Sequence, residues 1–180
     1  MKIILNKPQI DLITQRLAFE IVEKHSQLTD TVFIGLQPRG IYFSDKLVAD
    51  IQNLVAPIQP LYGQLDITFY RDDVKTQLHL ANATHIPFSI ENKKVVLIDD
   101  VLWTGRTIRA ALDALIDFGR PKHVELCVLI DRRFSRELPI QANFVGKTID
   151  ALPTEKVYVQ WQQKHAATQV LIDSTTATAR

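Results

Sequence analysis

Cysteine and long apolar runs are what this 180-residue chain has least of. Cys127 is the single cysteine, so an internal disulfide is excluded. The first ten residues, MKIILNKPQI, contain too short an apolar run for a secretory signal peptide, and no other run reaches the length that crosses a membrane. These absences predict a protein of the reduced cytoplasm, with Cys127 as a small buried hydrophobic residue.

An excess of charge of one sign is also lacking. The chain has 21 Lys and Arg against 20 Asp and Glu, and a formal charge of +1 gives no overall attraction to nucleic acid or membranes. A hydrophobic fraction of 46% and a charged fraction of 23% are ordinary for a globular protein, and the length predicts one domain over residues 1–180. The chain contains neither the G-x-x-x-x-G-K-[ST] motif of P-loop enzymes nor the G-x-G-x-x-G motif of dinucleotide-binding folds.

The residues with most chemistry lie in 95–107, VVLIDDVLWTGRT. Four apolar residues without alternation predict a strand covered on both faces, as in a parallel sheet, and Asp99 and Asp100 follow it. Apolar residues at helical spacing over 108–116 predict a helix, and 123–130 predict the next strand. This unit of strand, helix and strand predicts an α/β fold with a parallel sheet.

The turn after the two acids is suited to bind an anion. Thr104 and Thr107 offer hydroxyls, Gly105 allows close backbone approach, and a helix N-terminus offers free N–H groups, which together favour a phosphate. Asp99 and Asp100 would repel that phosphate, so they need sugar hydroxyls or a magnesium ion as partners. Two plainer interpretations stand beside this one: the magnesium-binding strand of an ATPase, and solvated strand-end charges with Thr104 as a helix cap.

Three flanking segments complete the pattern. Asn6 and Pro8 predict the start of a helix that runs to Lys24. A strand over 31–36 and a helix over 41–53 enclose Gln37-Pro38-Arg39-Gly40, which is either an anion-binding loop at a strand's carboxyl end or an ordinary turn with a surface arginine.

Residues 65–70, LDITFY, alternate in polarity and predict a strand. The stretch from Arg71 to Pro87 shows no clear period, so it is either a mobile surface loop or a lid that closes over substrate.

The apolar strand, the paired acids and T-G-R-T resemble the motif with which type I phosphoribosyltransferases bind 5-phosphoribosyl-1-diphosphate (PRPP). The resemblance implies a mostly parallel, twisted sheet flanked by helices, with a small hood and a flexible lid loop. It implies that Asp99 and Asp100 hold the ribose and, directly or through water, Mg²⁺. The substrate-binding motif then comprises Asp99, Asp100, Val101, Leu102, Trp103, Thr104, Gly105, Arg106 and Thr107.

The same resemblance makes Gln37, Pro38, Arg39 and Gly40 the diphosphate loop. A cis peptide bond between Gln37 and Pro38 is a hypothesis that accompanies this assignment, because proline makes the cis form cheap. Arg71 is expected on the lid. Asp99, Asp100, Arg39 and Arg71 are therefore the expected catalytic residues, and no nucleophilic side chain is required.

Three sequence words, GIYFSDKLV, LDITFYRDD and RELPI, resemble a subgroup of this family: the bifunctional pyrimidine operon regulators and uracil phosphoribosyltransferases. This implies synthesis of UMP and diphosphate from uracil and PRPP, binding of UMP or UTP, and a homo-oligomer. It also implies a hood over the base that includes Asp131, Arg132, Val145 and Gly146.

Binding of a pyrimidine messenger RNA leader is a second function of the subgroup, for which the candidate cations are Arg16, Arg136 and Lys147. The chain departs from the RNA-binding members at Gln15, Phe19 and Gln141. Three alternatives to a uracil phosphoribosyltransferase stay open here: an RNA-binding regulator, a nucleotide sensor with little catalysis, and a purine phosphoribosyltransferase.

Overall fold

The computed structural model describes residues 1–26, 28–71 and 82–174. Its helices are α1 (Lys7–His25), α2 (Gly40–Val55) and α3 (Arg106–Leu115), with 3₁₀ turns at Thr68–Tyr70 and Ile116–Phe118. Its strands are β1 (Lys2–Leu5), β2 (Thr31–Leu36), β3 (Leu61–Leu65), β4 (Lys94–Leu102), β5 (His123–Arg133), β6 (Phe144–Asp150), β7 (Lys156–Gln160) and β8 (Gln169–Asp173).

The main sheet has five strands in the order β3-β2-β4-β5-β6, and every neighbouring pair is parallel. This confirms the predicted parallel sheet flanked by helices. In the register, Ile98 of β4 pairs with Gly35 of β2 and with Cys127 of β5. The carboxyl ends of these central strands therefore meet at one edge of the sheet, where open α/β sheets bind ligands.

Alternate residues of β4 enter two different cores, as the period of a strand requires. Val96 and Ile98 pack with apolar residues of α1 and α2, whereas Val95 and Leu97 pack with those of α3. Cys127 is fully buried in the first core, as predicted. Since both faces of the strand are covered, its sequence is a continuous apolar run.

Helix α1 begins where the sequence predicts. The side chain of Asn6 accepts a hydrogen bond from the N–H of Gln9 at 3.1 Å, and the Gln9 side chain accepts one from the N–H of Asn6 at 3.0 Å. This reciprocal capping box satisfies two N–H groups that have no partner within the helix. The predicted end near Lys24 agrees with the last helical residue, His25.

A second, antiparallel sheet has the order β1-β8-β7 and joins the two ends of the chain. Val170 and Trp161 are buried in the core beneath it. This sheet lies over the main sheet as a hood. None of the helices in the described ranges is long and apolar enough to span a membrane.

The prediction of a strand over 65–70 is wrong. Strand β3 ends at Leu65, and Thr68–Tyr70 form a 3₁₀ turn. The reason is Asp66, whose carboxylate accepts hydrogen bonds from the backbone N–H groups of Thr68, at 2.6 Å, and of Asn82. Such local side-chain bonds turn the backbone out of the sheet.

Two strands are longer than predicted. β4 continues past Asp99 and Asp100 to Leu102, because it stays paired with β5 as far as Asp131. β5 in turn continues to Arg133, so Asp131 and Arg132 lie within this strand, beyond its predicted end at residue 130. Most of the predicted lid, 72–81, lies outside the described residues.

Candidate active site

A cavity of about 340 Å³ lies at the carboxyl ends of β2 and β4. It collects residues from four separate parts of the chain: the turn after β2, the segment after β3, the end of β4 and the start of α3. Its lining consists of Gln37, Pro38, Arg39, Ile67, Thr68, Arg71, Asn82, Asp99, Asp100 and Thr107. All four predicted catalytic residues therefore meet in one cavity.

The turn between β2 and α2 forms one wall. The peptide bond between Gln37 and Pro38 is cis, in agreement with the hypothesis drawn from the sequence. The backbone N–H of Gln37 donates to the carbonyl of Leu65 at 2.9 Å, and its side-chain amide donates to the carbonyl of Ala83 at 2.8 Å. Gln37 is therefore a structural anchor of this turn, and Arg39 is left exposed at its end.

Gly40 lets the start of α2 approach β4 closely. A Cβ atom at this position would lie 2.9 Å from Oδ1 of Asp99 and 3.0 Å from the carbonyl oxygen of Ile98. Any larger residue would push the helix or the carboxylate away. The close approach places Arg39 beside the two acids.

Asp99 and Asp100 are both nearly inaccessible, each 6% exposed. The backbone N–H of Asp100 donates to Oδ1 of Asp99 at 2.9 Å. Burial and the neighbouring charge of Asp100 raise the pKa of Asp99 well above 3.8, although the charge of Arg71 works against this rise. Burial likewise raises the pKa of Asp100, and the charge of Arg39 opposes it.

Burial disfavours the charged forms of both acids, and a ligand that brings hydrogen-bond donors or a cation would stabilise these forms. Among the residues described, no cluster of three His, Cys, Asp or Glu side chains could form a complete metal cage. Two carboxylates alone fit Mg²⁺, which commonly takes one or two from the protein and its other ligands from phosphate and water.

The phosphate turn, which we define as residues 103–107, follows directly after β4. Gly105 adopts a left-handed conformation with φ of 93°, which explains the need for glycine there. α3 begins at Arg106, and Thr107 lines the cavity. The first N–H groups of α3 have no acceptor within the helix, so this turn offers donors to an anion.

A second cavity of about 730 Å³ adjoins the first and lies beneath the hood. Pro38, Arg39 and Asp100 line both cavities. On the side of the main sheet, the guanidinium of Arg132 lies 4.7 Å from the ring centre of Trp103. Val157, Tyr158 and Val159 of β7 line the same cavity.

Arg132 is only 2% exposed, and burial lowers the pKa of its guanidinium. It donates to the carbonyl oxygens of Leu152 at 3.2 Å and Glu155 at 3.0 Å, in the connection that leads into β7. Arg132 thus links the end of β5, the phosphate turn and the hood. Of the four predicted hood residues, it is the one that lines a cavity.

Val145 and Gly146 do not line either cavity. They lie on β6, the edge strand beyond β5, and their carbonyl oxygens accept hydrogen bonds from the guanidinium of Arg16 at 2.9 and 2.7 Å. Asp131 is instead paired with Arg136 at 2.5 Å. The structure therefore builds its hood from β1, β7 and β8 rather than from β6.

Sequence reasoning missed the hood strand β7. The alternating run KVYVQ at 156–160 was the available signal for a strand, but nothing in it indicates which cavity the strand covers.

The fold and the site define a phosphoribosyltransferase. The sequence profile described as the phosphoribosyl transferase domain matches residues 1–167. A solved hypoxanthine phosphoribosyltransferase from Staphylococcus aureus superposes with a TM-score of 0.70 at 22% identity, covering 94% of this chain and 90% of that one. The enzyme of that activity from Trypanosoma cruzi gives a TM-score of 0.71 at 16% identity, covering 96% and 95%. At such identities the likeness concerns the fold alone.

Curated relatives indicate which group of phosphoribosyltransferases this chain resembles. The bifunctional protein PyrR of Enterococcus faecalis strain V583 is 43% identical over 175 residues, which cover 92% of this chain and 96% of that protein. The bifunctional protein PyrR of Halalkalibacterium halodurans is 39% identical over 180 residues, covering 98% and 99%. The chain belongs to the family of bifunctional PyrR proteins.

Proposed function

We propose that this protein transfers the phosphoribosyl group of PRPP to uracil, which gives UMP and diphosphate. The observation that carries the proposal is the smaller cavity, because it unites two arginines, two buried carboxylates and Thr107 of the phosphate turn. PRPP has a chemical group to match each of these side chains. The larger cavity adjoins it at Asp100 and provides the space for a base.

Each part of PRPP finds a chemically matched partner in this arrangement. The 5′-phosphate binds the N–H groups and hydroxyls of the phosphate turn. The ribose hydroxyls donate hydrogen bonds to Asp99 and Asp100, whose carboxylates line the same cavity. The diphosphate lies against Arg39 and Arg71, whose guanidinium groups suit phosphate oxygens.

In the reaction, a ring nitrogen of uracil loses its proton to solvent and forms a bond to the anomeric carbon while the carbon–oxygen bond to diphosphate breaks. Diphosphate leaves with the electron pair, so positive charge develops on the ribose. Asp99 and Asp100 stabilise that charge from nearby, and Arg39 and Arg71 stabilise the departing oxyanion. Mg²⁺, held by Asp99 and Asp100 directly or through water, would supply additional positive charge to the diphosphate when bound.

The base binds in the larger cavity, which Trp103, Arg132 and residues of β7 line. The preference for uracil is supported by the three segments, GIYFSDKLV, LDITFYRDD and RELPI, in which the chain resembles its subgroup. The test is product formation from PRPP and Mg²⁺ with uracil, orotate, hypoxanthine, guanine and adenine in parallel. UMP from uracil alone is the expected result, and turnover of a purine instead would overturn the base assignment.

RNA binding is a second candidate, favoured by the word bifunctional in the names of the relatives. Of the three candidate cations, Lys147 is exposed on β6, whereas Arg16 is paired with Glu20 and Arg136 with Asp131. An RNA contact through either arginine would compete with these pairs.

Titration of the pyrimidine operon leader, with and without UMP and at several salt concentrations, tests this function. We expect UMP to strengthen binding, and Lys147→Gln to weaken it and to lower its salt dependence. Equal affinity for an unrelated RNA would show nonspecific attraction only.

A further inference from the structure

The segment after β5, Arg136-Glu137-Leu138, contacts the outer side of the phosphate turn. The guanidinium of Arg136 donates to the carbonyl oxygen of Trp103 and also forms an ion pair with Asp131 at 2.5 Å. The backbone N–H groups of Glu137 and Leu138 both donate to the carbonyl oxygen of Thr104, at 3.0 and 3.1 Å. Two successive carbonyl groups of the turn are therefore held by one neighbouring segment.

These bonds determine where the N–H groups of the turn point. In a trans peptide, the carbonyl and the N–H of the next residue point in opposite directions. Because the Trp103 carbonyl faces Arg136, the N–H of Thr104 faces away from it. By the same geometry, the Thr104 carbonyl directs the N–H of Gly105 away from Glu137 and Leu138. Successive N–H groups on one side of a turn form an anion-binding nest.

Further contacts hold the turn against the same segment. Arg106 Nε donates to the carboxylate of Glu137 at 2.6 Å. A Cβ atom on Gly105 would lie 3.4 Å from the side chains of Leu138 and Ile140, so these residues pack against the glycine. None of the residues in 136–140 lines either cavity, so the segment acts on the site only through the turn.

We infer that Arg136 is a positioning residue for phosphate binding: it orients the peptide between Trp103 and Thr104 so that the N–H groups of the turn remain available to the 5′-phosphate. This inference rests on the proposed function, because it assumes that the turn receives that phosphate. It differs from the role of an RNA contact predicted for Arg136 from the sequence. It also explains why an arginine suits the position, since its fork reaches Asp131 and the Trp103 carbonyl at once.

The test compares ligands with and without the phosphate. Affinities for UMP and for uridine are measured by calorimetry with the wild type, Arg136→Gln and Arg136→Lys. Arg133→Gln is the matched control, because it removes the same charge three residues away from an exposed ion pair with Asp150. Thermal unfolding of each variant verifies that it is folded. If Arg136→Gln does not fold, the comparison is made with Arg136→Lys.

We expect Arg136→Gln to weaken UMP binding by about tenfold or more, as loss of a charge-assisted hydrogen bond implies, and to leave uridine binding unchanged. The KM for PRPP should rise likewise, with an unchanged KM for uracil. The UMP affinity of Arg136→Lys should lie between those of the wild type and Arg136→Gln, and that of Arg133→Gln should match the wild type.

Equal weakening of UMP and uridine, or no weakening of either, would overturn the inference. Loss of RNA affinity with UMP affinity intact would overturn it as well, in favour of direct RNA contact. If the wild type itself binds UMP no better than uridine, the phosphate site and with it the proposed function fail, which is a distinguishable result.

Discussion

Replacement of Asp99 by asparagine should change activity and stability in opposite directions. The amide is nearly the same size as the carboxylate, and its oxygen can still accept the hydrogen bond from the N–H of Asp100 that the carboxylate accepts at 2.9 Å. The variant therefore removes the negative charge of a side chain that is 6% exposed while it keeps the packing. Any change in rate or stability reports the charge itself.

The loss of activity follows from the role of the carboxylate. A hydrogen bond from a ribose hydroxyl to a charged acceptor contributes about 1.5–3 kcal/mol. Loss of a preorganised group that stabilises transition-state charge commonly lowers the rate by about 10²–10³-fold. We expect UMP formation to fall by about 10²-fold or more.

The gain in stability follows from the direction in which the pKa of Asp99 moves. Burial and Asp100 raise this pKa above 3.8, so the folded state holds the proton more tightly than the unfolded chain does. The carboxylate therefore destabilises the folded protein increasingly as pH rises from about 4 through the folded-state pKa, and every tenfold weakening of the acid corresponds to about 1.4 kcal/mol. Each kcal/mol of destabilisation that the asparagine removes should raise the melting temperature by about 2–4 °C.

The assay pairs initial rates of UMP formation with thermal unfolding of the ligand-free protein at several pH values between about 4 and 8. Asp150→Asn is the control, because Asp150 is an exposed strand-end acid that lines neither cavity and should change neither quantity strongly. A variant that loses activity and also melts lower at neutral pH would refute the reasoning, since Asp99 would then be a structural residue.

Three further predictions concern the surroundings of the site. Arg39→Lys keeps the charge but loses the planar guanidinium. In steady-state kinetics we therefore expect the KM for PRPP to rise about tenfold while the KM for uracil stays constant. An unchanged KM for PRPP would show that Arg39 does not bind the diphosphate. Gly40→Ala places a methyl group 2.9 Å from the Asp99 carboxylate, so kcat should fall about tenfold or more, and wild-type kcat would contradict the close approach. Glu125→Gln should destabilise the protein by about 1 kcal/mol at neutral pH without affecting UMP formation. Although burial opposes the shift, the hydrogen bond from Lys24 at 2.7 Å and the charge of His25 lower the pKa of Glu125. The stability that this carboxylate contributes is therefore present above the ordinary glutamate pKa of 4.5 and disappears as pH falls. A pH-independent loss of stability in denaturant titrations would contradict this role of Glu125.

The sequence alone determined the parts of this protein that are built from neighbouring residues. The apolar strand β4 with Asp99 and Asp100, the glycine-containing turn and the cap of α1 at Asn6 were all predicted, because each depends on local periodicity or on hydrogen bonds within a few residues. The turn at residues 37–40 was placed at the carboxyl end of the sheet for the same reason, because it directly follows the buried strand β2. The parallel sheet followed from these units, since strand-helix-strand connections are nearly always right-handed.

Only the tertiary structure decided which distant residues complete the site. The hood joins β1, near the start of the chain, to β7 and β8, more than 150 residues later, and no local pattern specifies such a pairing. Side chains with several possible partners were likewise decided by the fold: Arg16 binds the carbonyl groups of β6, and Arg136 binds Asp131 and the phosphate turn. A sequence shows that an arginine carries a charge, but burial and neighbouring acceptors determine what that charge holds, and these arise only when the strands are assembled.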